Sequence, residues 1–383
     1  MKFLSTQVAI VGGGLAGLHA AYLLERRGMT DYVVLEARPA LGGRIQSLSP
    51  HGHDRTPTTV LADRFDLGPT WFWPALQPEL DQLVQELGID RFVQHEAGDM
   101  MFERSHNVPP LRTSGYVNSS PAVRLVGGMA SLVEALHRNL NAERILLGEI
   151  VQEMQVINDA VEVSSRDVAG NLRTVRAARV LLALPPRLAH QTINFSPTLP
   201  ALIARSWRET ATWMAPHAKY VAVFDTPFWR EAGLSGEARS AHGPLGEIHD
   251  ASMPGGSAAL FGFLSVPSAA RRGIPQEAMI GHCRAQLVRL FGPQAGQPKA
   301  DVFKDWALDK FTATTLDQAG TGGHASPPPS LVPDSDWYGR LVGIGSEWSP
   351  QFPGYVAGAI EAARLGVQAL LMGGSSTQRA IRT

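Results

Sequence analysis

The sequence predicts an α/β protein of two or three domains, and three observations support this. First, an apolar run at 7–11 leads through glycines into a helical pattern, and a second apolar run follows at 32–35. Second, buried-strand patterns recur later, at 179–184 and 219–224. Third, the 383 residues exceed the usual length of a single domain. We therefore expect a Rossmann-like domain, with the rest of the chain in at least one further domain.

The first glycine turn has the order of a dinucleotide-binding fingerprint. Gly12 permits a tight turn, Gly14 lets the backbone approach a pyrophosphate, and Gly17 lets the helix pack closely on the strand. The N-terminus of the following helix has free N–H groups and the positive end of the dipole, which favour an anion. Glu36 ends the second strand, where a carboxylate accepts hydrogen bonds from a ribose and disfavours a 2′-phosphate. A glycine-rich turn without the flanking strands, the helix and Glu36 would be weak evidence for dinucleotide binding.

Composition excludes several classes of protein. Hydrophobic residues make up 44% and charged residues 18%, which is typical of a globular protein and excludes long disorder. Lys and Arg number 34 against 35 Asp and Glu, so no basic excess indicates a nucleic-acid partner. We find no apolar stretch long enough to span a bilayer and predict no membrane anchor. The single cysteine, Cys283, cannot form an internal disulfide, which favours a cytoplasmic location.

Three later segments have features of a ligand site. Gly42-Gly43-Arg44 can place backbone N–H groups and a guanidinium against phosphates, which an extended flavin dinucleotide needs and NAD does not. The segment 66–74 holds three large aromatic residues beside Gly and Pro, which indicates either a rigid loop against a flat ligand or an aromatic corner of the core. The segments 343–348 and 353–359 resemble a strand, a polar turn and a helix start that presents backbone donors.

A metal site is not expected. His51 and His53 lie next to Asp54, but no third ligand follows at a local spacing, so we predict a polar hairpin tip over residues 50–60. Cys283 lies within a predicted helix from Gln276 to Phe291, where a small buried side chain is a better interpretation than a reactive thiol.

Eight motifs occur in one order along residues 7 to 372, and together they resemble the flavin-dependent amine oxidase family, which includes monoamine, polyamine and L-amino-acid oxidases. They are the glycine fingerprint, GGRI, DLGPTWFWP, VGGM, LALPP, KYVAVFDTPFW, DWALDKFTAT and GSEWSPQFPGYVAGAIEA. The resemblance implies an FAD-binding domain from residues 1–74, 121–190 and 334–383. It also implies a substrate domain, built on a mixed β-sheet, from 75–120 and 191–333.

The resemblance implies FAD contacts from the fingerprint, the second strand, the later loops and the C-terminal motif. These residues are Gly12, Gly14, Leu15, Ala16, Gly17, Glu36, Ala37, Arg38, Gly42, Gly43, Arg44, Gly68, Pro69, Thr70, Trp71, Val151, Trp306, Gly345, Glu347, Tyr355 and Val356. It implies two catalytic residues: Lys219, which would hold a water on flavin N5, and Tyr355, one wall of an aromatic cage for the amine. A neutral amine would pass hydride equivalents to flavin N5, and dioxygen would be reduced to hydrogen peroxide.

The sequence departs from the family pattern in three places. The stretch Thr312–Thr315 has no cysteine, where monoamine oxidases attach the flavin covalently, so we predict noncovalent FAD; His324 is the one residue that can replace that link. The second cage aromatic is missing, with Leu316 in its place, and Trp71 or Trp73 can substitute. The segment between Trp73 and Gly127 is short, which leaves the amine unidentified.

Two alternatives remain at this point. A desaturase or a protoporphyrinogen-oxidase-like flavoenzyme shares the fingerprint, although Lys219 and Tyr355 weigh against it. A non-catalytic binding protein of related fold would have lost the flavin, whereas this sequence keeps the flavin-contacting motifs. The oligomeric state stays open.

Overall fold

The computed structural model describes residues 2–49, 63–116, 118–319, 323 and 325–380. The chain forms two compact units. The first unit comprises Met1–Arg44, Leu132–Ala215 and Lys310–Thr383, and the second comprises Ile45–Ser131 and Pro216–Asp309. The predicted hairpin tip at 50–60, with His51 and His53, lies outside the described residues, as does His324.

The first unit contains an eight-stranded sheet in the order β13-β10-β11-β12-β1-β2-β9, with β19 also paired to β12. Its strands are β1 (Lys2–Val11), β2 (Tyr32–Glu36), β9 (Ile145–Leu147), β10 (Ile150–Ile157), β11 (Ala160–Arg166), β12 (Leu172–Leu182), β13 (Asn194–Ser196) and β19 (Leu341–Gly343). Strands β1, β2, β9 and β19 run parallel to their neighbours, while β11 is antiparallel to both of its own.

The centre of this sheet explains the continuous apolar runs in the sequence. β1 lies between β2 and β12, so that Val11 pairs with Leu35 on one side and Leu182 on the other. All five residues of β2 are buried, as expected for a parallel strand covered on both faces. The carboxyl ends of β1 and β2 therefore meet at one edge of the sheet, where the glycine turn and Glu36 lie.

The second unit contains a seven-stranded mixed sheet in the order β18-β14-β17-β16-β15-β6-β7. Its strands are β6 (Asp99–Glu103), β7 (Leu111–Ser114), β14 (Ala218–Phe224), β15 (Leu234–Ser240), β16 (Leu245–Asp250), β17 (Ala258–Leu264) and β18 (Ala300–Asp305). Two short strand pairs accompany it: β3 (Ser47–Leu48) with β4 (Phe65–Asp66), and β5 (Arg91–Val93) with β8 (Val123–Leu125).

Alternate residues of β14 divide the second unit into two cores. Tyr220, Ala222 and Phe224 join the core that includes Leu287 of the helix between β17 and β18. Val221 and Val223 join the other core, with Phe65 and Phe261. Because side chains alternate along a strand, Lys219 belongs to the face of Val221 and Val223.

The described residues form ten α-helices, more than the sequence patterns predict. They are α1 (Leu15–Glu25), α2 (Pro78–Glu86), α3 (Ala130–Arg138), α4 (Pro186–Thr192), α5 (Ala201–Glu209), α6 (Phe228–Glu231), α7 (Ser268–Arg271), α8 (Gln276–Phe291), α9 (Thr315–Ala319) and α10 (Val356–Ala380). α1 packs against α10 in the first unit. Among the described helices, none is both long and apolar enough to cross a bilayer.

The α/β fold class and the mixed sheet are confirmed. α8 begins and ends at the predicted residues, and Cys283 is buried within it. α10 extends to Ala380. The assignment of particular segments to an FAD domain and a substrate domain is an assignment of role, and it stays a prediction.

Candidate functional site

The glycine turn between β1 and α1 is packed so tightly that two of its glycines have no room for a side chain. A Cβ at Gly12, where φ is +110°, would lie 2.7 Å from the carbonyl oxygen of Ala183. A Cβ at Gly17 would lie 1.9 Å from the carbonyl oxygen of Gly12. At Gly14 the nearest atoms would be 3.9 Å away, so the protein's own packing leaves space at that position. This space fits the ligand-facing role predicted for Gly14.

The start of α1 presents backbone donors that are not used within the helix. Gly14 precedes the helix without a side-chain cap, and the first turn contains no acidic residue. The first intrahelical bond runs from the Leu18 amide to the Gly14 carbonyl oxygen at 3.0 Å. The N–H groups of Leu15, Ala16 and Gly17 precede that bond and have no partner within the helix. A phosphate is the type of ligand that such a helix start binds.

Glu36 is buried at the end of β2 and braces the turn. Its carboxylate accepts hydrogen bonds from the backbone N–H groups of Gly13 at 2.7 Å and Arg38 at 2.8 Å. Its own carbonyl oxygen accepts from the Glu149 amide at 2.9 Å. Glu36 therefore fixes the relative positions of β2 and the glycine turn, in addition to the ribose contact that the sequence predicts.

Gly42 to Arg44 lie beside the glycine turn, as the sequence predicts. The Gly42 amide donates to the Gly13 carbonyl oxygen at 3.0 Å, and Gly42 forms an isolated bridge with Gly14. Arg44, however, directs its guanidinium to protein: it donates to both carboxylate oxygens of Glu347 and, at 3.1 Å, to Ser346 Oγ. This bidentate pair ties the C-terminal motif to the glycine turn region.

Arg38 connects the end of β2 to the segment after the DWALDKF motif. Its guanidinium donates to Thr312 Oγ1 at 2.9 Å and lies over the Phe311 ring at 5.3 Å. The same guanidinium is 3.8 Å from the Glu36 carboxylate. Three sequence-distant segments of the first unit are thus joined around Glu36.

Tyr355 lies immediately before α10, with 36% of its surface exposed, and faces a second aromatic ring. The Trp213 ring is 6.1 Å from it, centroid to centroid, at an angle of 31°. Gly354 lets the two segments approach, because a Cβ there would lie 2.5 Å from Trp213 Cβ. The two rings form an aromatic surface within the first unit that sequence analysis did not predict.

The turn that carries Trp213 is held by buried polar contacts. Asp317 accepts hydrogen bonds from the Thr212 amide at 3.0 Å and from the Arg187 guanidinium. Met214 has a φ of +61°, a backbone conformation that non-glycine residues seldom adopt and that is frequent near functional sites. A small cavity beside this turn is lined by Thr210, Ala211, Trp213, Ala325, Glu347, Pro353 and Gly354.

Lys219 is buried in the second unit, on β14. Its amino group donates to the Gly68 carbonyl oxygen at 3.2 Å and to Thr70 Oγ1 at 2.5 Å, and it lies 3.9 Å from the centre of the Phe261 ring. Burial lowers the pKa of Lys219 to about 7; the Asp66 carboxylate opposes this shift and the Arg124 guanidinium adds to it. Lys219 is therefore not a solvated surface charge.

Aromatic residues of the DLGPTWFWP motif pack in the same unit. Trp71 packs edge-on against His249 at 5.0 Å and lies 5.5 Å from Phe261 with the two rings tilted by 44°. Trp306 donates its indole N–H to the Leu67 carbonyl oxygen at 2.8 Å. Within the second unit, the predicted residues Gly68, Thr70, Trp71 and Lys219 thus share one neighbourhood around Phe261.

The other predicted residues are less informative. The Trp73 amide donates to the Gln77 side chain at 3.3 Å. Val151 is buried on β10, and Leu316 is exposed on α9. Of the described residues, no group of three or more His, Cys, Asp or Glu side chains has an arrangement that would hold a metal ion.

Sequence analysis missed Trp213, Asp66 and Arg124. Trp213 lies in a turn with no periodic pattern, and only the close approach of Gly354 identifies it. Asp66 is the first residue of the DLGPTWFWP motif, but no spacing in the sequence indicates an electrostatic interaction of its carboxylate with Lys219 or Arg124. These associations depend on residues distant along the chain.

Comparison with known proteins agrees with this geometry. Residues 97–371 match the sequence model described as flavin containing amine oxidoreductase, and residues 10–87 match an NAD(P)-binding Rossmann-like domain. The chain is 26% identical to a putrescine oxidase of Kocuria rosea, over 97% of this chain and 96% of that protein. It is 23% identical to a probable flavin-containing monoamine oxidase A of Dictyostelium discoideum, over 92% and 95%.

Solved structures share the fold. An A394C mutant of putrescine oxidase superposes with a TM-score of 0.78 at 20% identity, covering 97% of this chain and 99% of that one. Cyclohexylamine oxidase from Brevibacterium oxydans IH-35A gives a TM-score of 0.77 at 19% identity, covering 96% and 99%.

Proposed function

Because the chain belongs to the flavin-containing amine oxidoreductase family, we propose that it oxidises a small amine with dioxygen as the electron acceptor. The overall reaction converts a primary amine, dioxygen and water to a carbonyl compound, ammonia and hydrogen peroxide. FAD, when bound, supplies the chemistry by accepting a hydride equivalent from the amine carbon. The protein's residues bind and orient the reactants.

The observation that carries this proposal is a ligand-binding surface in the first unit, which we call the cradle. It is formed by the glycine turn, the start of α1 and Glu36. Space beside Gly14, the donors at the start of α1 and the buried Glu36 carboxylate together fit a dinucleotide with an unphosphorylated ribose. Gly42 and Gly43 extend this surface, and the next residue, Arg44, is held by its pair with Glu347. The remaining predicted contacts, including Val151, Gly345 and Val356, belong to this proposal.

The cofactor is FAD, held noncovalently. The stretch Thr312–Thr315 contains no cysteine, and Cys283 is buried inside α8, where burial raises its thiol pKa to about 12. Denaturing the purified protein with acid should therefore release all of the yellow colour into solution. Flavin that stays with the precipitate would contradict this assignment and point to His324.

Tyr355 and Trp213 are proposed to orient the amine. Their rings are tilted by 31° to each other, and Tyr355 keeps over a third of its surface open. Flat aromatic faces guide an apolar amine carbon while excluding water, and they favour the neutral amine over its hydrated cation. Trp213 is thus a better candidate for the second wall than Leu316, whose side chain is exposed on α9.

Lys219 is proposed to assist the reaction with oxygen. Negative charge develops on dioxygen as it accepts electrons, and a buried ammonium stabilises such charge more than a solvated one does. The Gly68 carbonyl oxygen and the Thr70 hydroxyl hold its amino group in place.

The experiment is a panel of amines with peroxide detection. Purified protein with flavin absorbance should produce peroxide with at least one member of a panel that includes putrescine, aromatic monoamines and cyclohexylamine, the first and last being the substrates named for the similar enzymes. Anaerobic bleaching of the flavin by the same amine would confirm amine oxidation directly. Bleaching without peroxide would remove oxygen as the acceptor, and a flavin that no amine reduces would favour a desaturase-like reaction.

We also propose a reducing, cytoplasmic setting. The chain has one cysteine and its side chain is fully buried, so that no thiol is available for a disulfide with a partner. Export of the folded protein to an oxidising compartment in its native cell, shown by fractionation, would contradict this.

A further inference from the structure

Trp213 lies in a turn, residues 210–214, that follows α5 and belongs to no helix or strand. The backbone of this turn is strained, because Met214 has a φ of +61°, in the left-handed region that residues other than glycine seldom adopt. Such a conformation persists only where the surrounding contacts enforce it. The position of the Trp213 ring beside Tyr355 therefore depends on the contacts that hold the turn.

Arg187, on α4, holds the start of the turn. Its Nε donates to the Arg208 carbonyl oxygen at 2.8 Å, and its Nη2 donates to the Glu209 carbonyl oxygen at 3.0 Å. Both carbonyl groups belong to the end of α5, where the helix itself offers them no further amide. The remaining nitrogen, Nη1, donates to the Asp317 carboxylate at 2.5 Å. One guanidinium thus joins the end of α5 to Asp317.

Asp317, on α9, holds the middle of the turn with a carboxylate whose two oxygens are both fully used. Its Oδ1 accepts from Arg187 and, at 3.0 Å, from the Thr212 amide. Its Oδ2 accepts from the Thr314 amide at 2.9 Å and from the Thr314 hydroxyl at 2.8 Å. The Asp317 side chain is 1% exposed. Four donors around one buried carboxylate fix it in a single orientation.

The carboxylate is attached to the backbone of the turn, one residue before the ring. Thr212 is fully buried, and its hydroxyl has no hydrogen-bond partner among the described residues. Its amide is the group that Asp317 binds, and its carbonyl oxygen accepts from the Ala215 amide at 3.2 Å. The backbone on both sides of Trp213 is therefore fixed through Thr212.

A second buried carboxylate holds the segment that leads to Tyr355. Glu361, on α10, is 4% exposed and accepts from the Gln351 amide at 3.1 Å and from the Ser349 hydroxyl. The Tyr355 amide donates to the Phe352 carbonyl oxygen at 3.1 Å. Each of the two rings is thus carried by a separately fixed segment, and a shift of either segment changes the distance between the rings.

We propose that Asp317 is a positioning residue for Trp213: by binding the Thr212 amide it fixes the Trp213 ring at its distance from Tyr355, and so sets the width of amine that the two rings accept. The role of the rings rests on the proposed function, whereas the hold on Trp213 can be measured without any amine. A loosened ring should slow a narrow amine, which needs both faces at close range, more than a bulky one.

Asp317→Ala is the decisive variant, because it removes both acceptor oxygens. Asp317→Asn keeps one acceptor oxygen, so its effect should lie between those of the parent and Asp317→Ala. Arg205→Gln is the matched control on α5, since it breaks an exposed ion pair with Glu209 that does not involve the turn. Thr212→Val is a control for the position of Trp213, because it replaces a hydroxyl that has no partner and keeps the amide.

The first measurement is 19F NMR of flavin-bound protein that carries 5-fluorotryptophan. The sequence has eight tryptophans, and Trp213→Phe assigns the signal of interest. In Asp317→Ala the Trp213 signal should move and broaden, while it should stay in place in Arg205→Gln and in Thr212→Val. The tryptophans of the second unit should be unaffected in all variants; these are Trp71, Trp73, Trp229 and Trp306.

The second measurement is the ratio of kcat/KM between the narrowest and the bulkiest amine that the parent oxidises, for example butylamine against benzylamine. In Asp317→Ala this ratio should fall about tenfold, the scale of a changed fit in an apolar pocket. The change should lie mainly in KM, and Asp317→Asn should recover part of it. Arg205→Gln should keep the ratio of the parent.

An unchanged Trp213 signal in folded Asp317→Ala would overturn the proposal, as would an equal disturbance in Arg205→Gln or Thr212→Val. A disturbed signal with an unchanged ratio of kcat/KM would overturn the role in specificity. If Asp317→Ala does not fold, Arg187→Lys takes its place, because one ammonium cannot hold the three acceptors of the planar guanidinium; an unmoved Trp213 signal there would also overturn the proposal. If the parent oxidises no amine, the proposed function fails, while the NMR comparison still decides whether Asp317 holds Trp213.

Discussion

The cradle of the first unit and the Lys219 pocket of the second unit differ in how their buried charged groups are paired. The Lys219 pocket consists of Lys219 and its contacts Gly68, Thr70 and Phe261. In the cradle, Glu36 accepts two backbone hydrogen bonds, and Arg44 forms a bidentate pair with Glu347. In the pocket, Lys219 contacts only neutral groups, and Asp66 keeps one oxygen without a partner among the described residues. The first region pairs its charged side chains directly, whereas the buried amino group of the second is bonded to neutral groups.

We interpret this difference as a distinction between a region proposed to hold the cofactor and a region proposed to act on a reactant. Fully paired buried groups rigidify a binding surface, which suits a cofactor held throughout the reaction. A buried cation without a charged partner lowers the stability of the folded protein. It can, however, stabilise negative charge that develops during the reaction. Variants in the cradle should therefore affect flavin binding, and variants in the pocket should affect rates and pH dependence.

Glu36→Ala should have the largest effect. It removes a carboxylate that braces Gly13 and Arg38 and that is proposed to bind the ribose, and each such charge-assisted bond contributes about 1.5–3 kcal/mol. We expect FAD affinity to fall about a hundredfold, measured by flavin titration of the apoprotein. Glu36→Gln should lose less, and Glu162→Ala on β11 should lose nothing. Full flavin content with unchanged affinity in Glu36→Ala would refute the comparison.

Tyr355→Ala should have an intermediate effect that leaves flavin bound. Loss of one aromatic face facing Trp213 should lower kcat/KM for the best amine about tenfold, on the scale of one aromatic contact. Tyr355→Phe should stay within about twofold, because the ring remains. The exposed Tyr338 offers a control in the same unit. Equal activity of Tyr355→Ala and the parent would remove Tyr355 from the amine site.

The smallest expected effect is on the pH dependence of stability. The pKa of Lys219 is about 7 in the folded protein, against 10.5 for an ordinary lysine, so between these values the unfolded chain binds one more proton. Stability from this group therefore rises with pH above about 7 and is lowest below it. Lys219→Met lacks this dependence.

Thermal unfolding at pH 6 and pH 9 tests that sign. Lys219→Met should unfold at a higher temperature than the parent at pH 6, by on the order of a few degrees, and the difference should shrink at pH 9. Lys304→Met serves as a control for removing a lysine from the neighbouring strand. A difference that grows with pH would show that Lys219 is not destabilised by its burial.

Much of the first unit could be predicted from sequence because short segments of the chain encode its elements. The apolar runs of β1 and β2, the glycine spacing and the terminal Glu36 each follow from short-range chemistry, and the structure places them as expected. α8 was also predictable, since its period and its ends at Gln276 and Phe291 are encoded within a single segment.

What sequence could not predict depends on residues far apart in the chain. Arg44 was expected to face phosphates, yet its partner Glu347 lies 303 positions away. Trp213 meets Tyr355 only because Gly354 permits close packing between distant segments. The two charged groups that affect the pKa of Lys219, Asp66 and Arg124, likewise lie on strands far from it in the sequence.

The most direct test of the account is stopped-flow measurement of both half-reactions in Lys219→Met, which removes the buried charge with little change of volume. FAD should remain bound, and anaerobic flavin reduction by the amine should slow by less than about tenfold. Reoxidation by oxygen should slow by about tenfold or more, the scale of one lost electrostatic contact in a dry site. Unchanged reoxidation, with flavin bound and reduced normally, would contradict the claim that the pocket's positive charge serves the oxygen reaction.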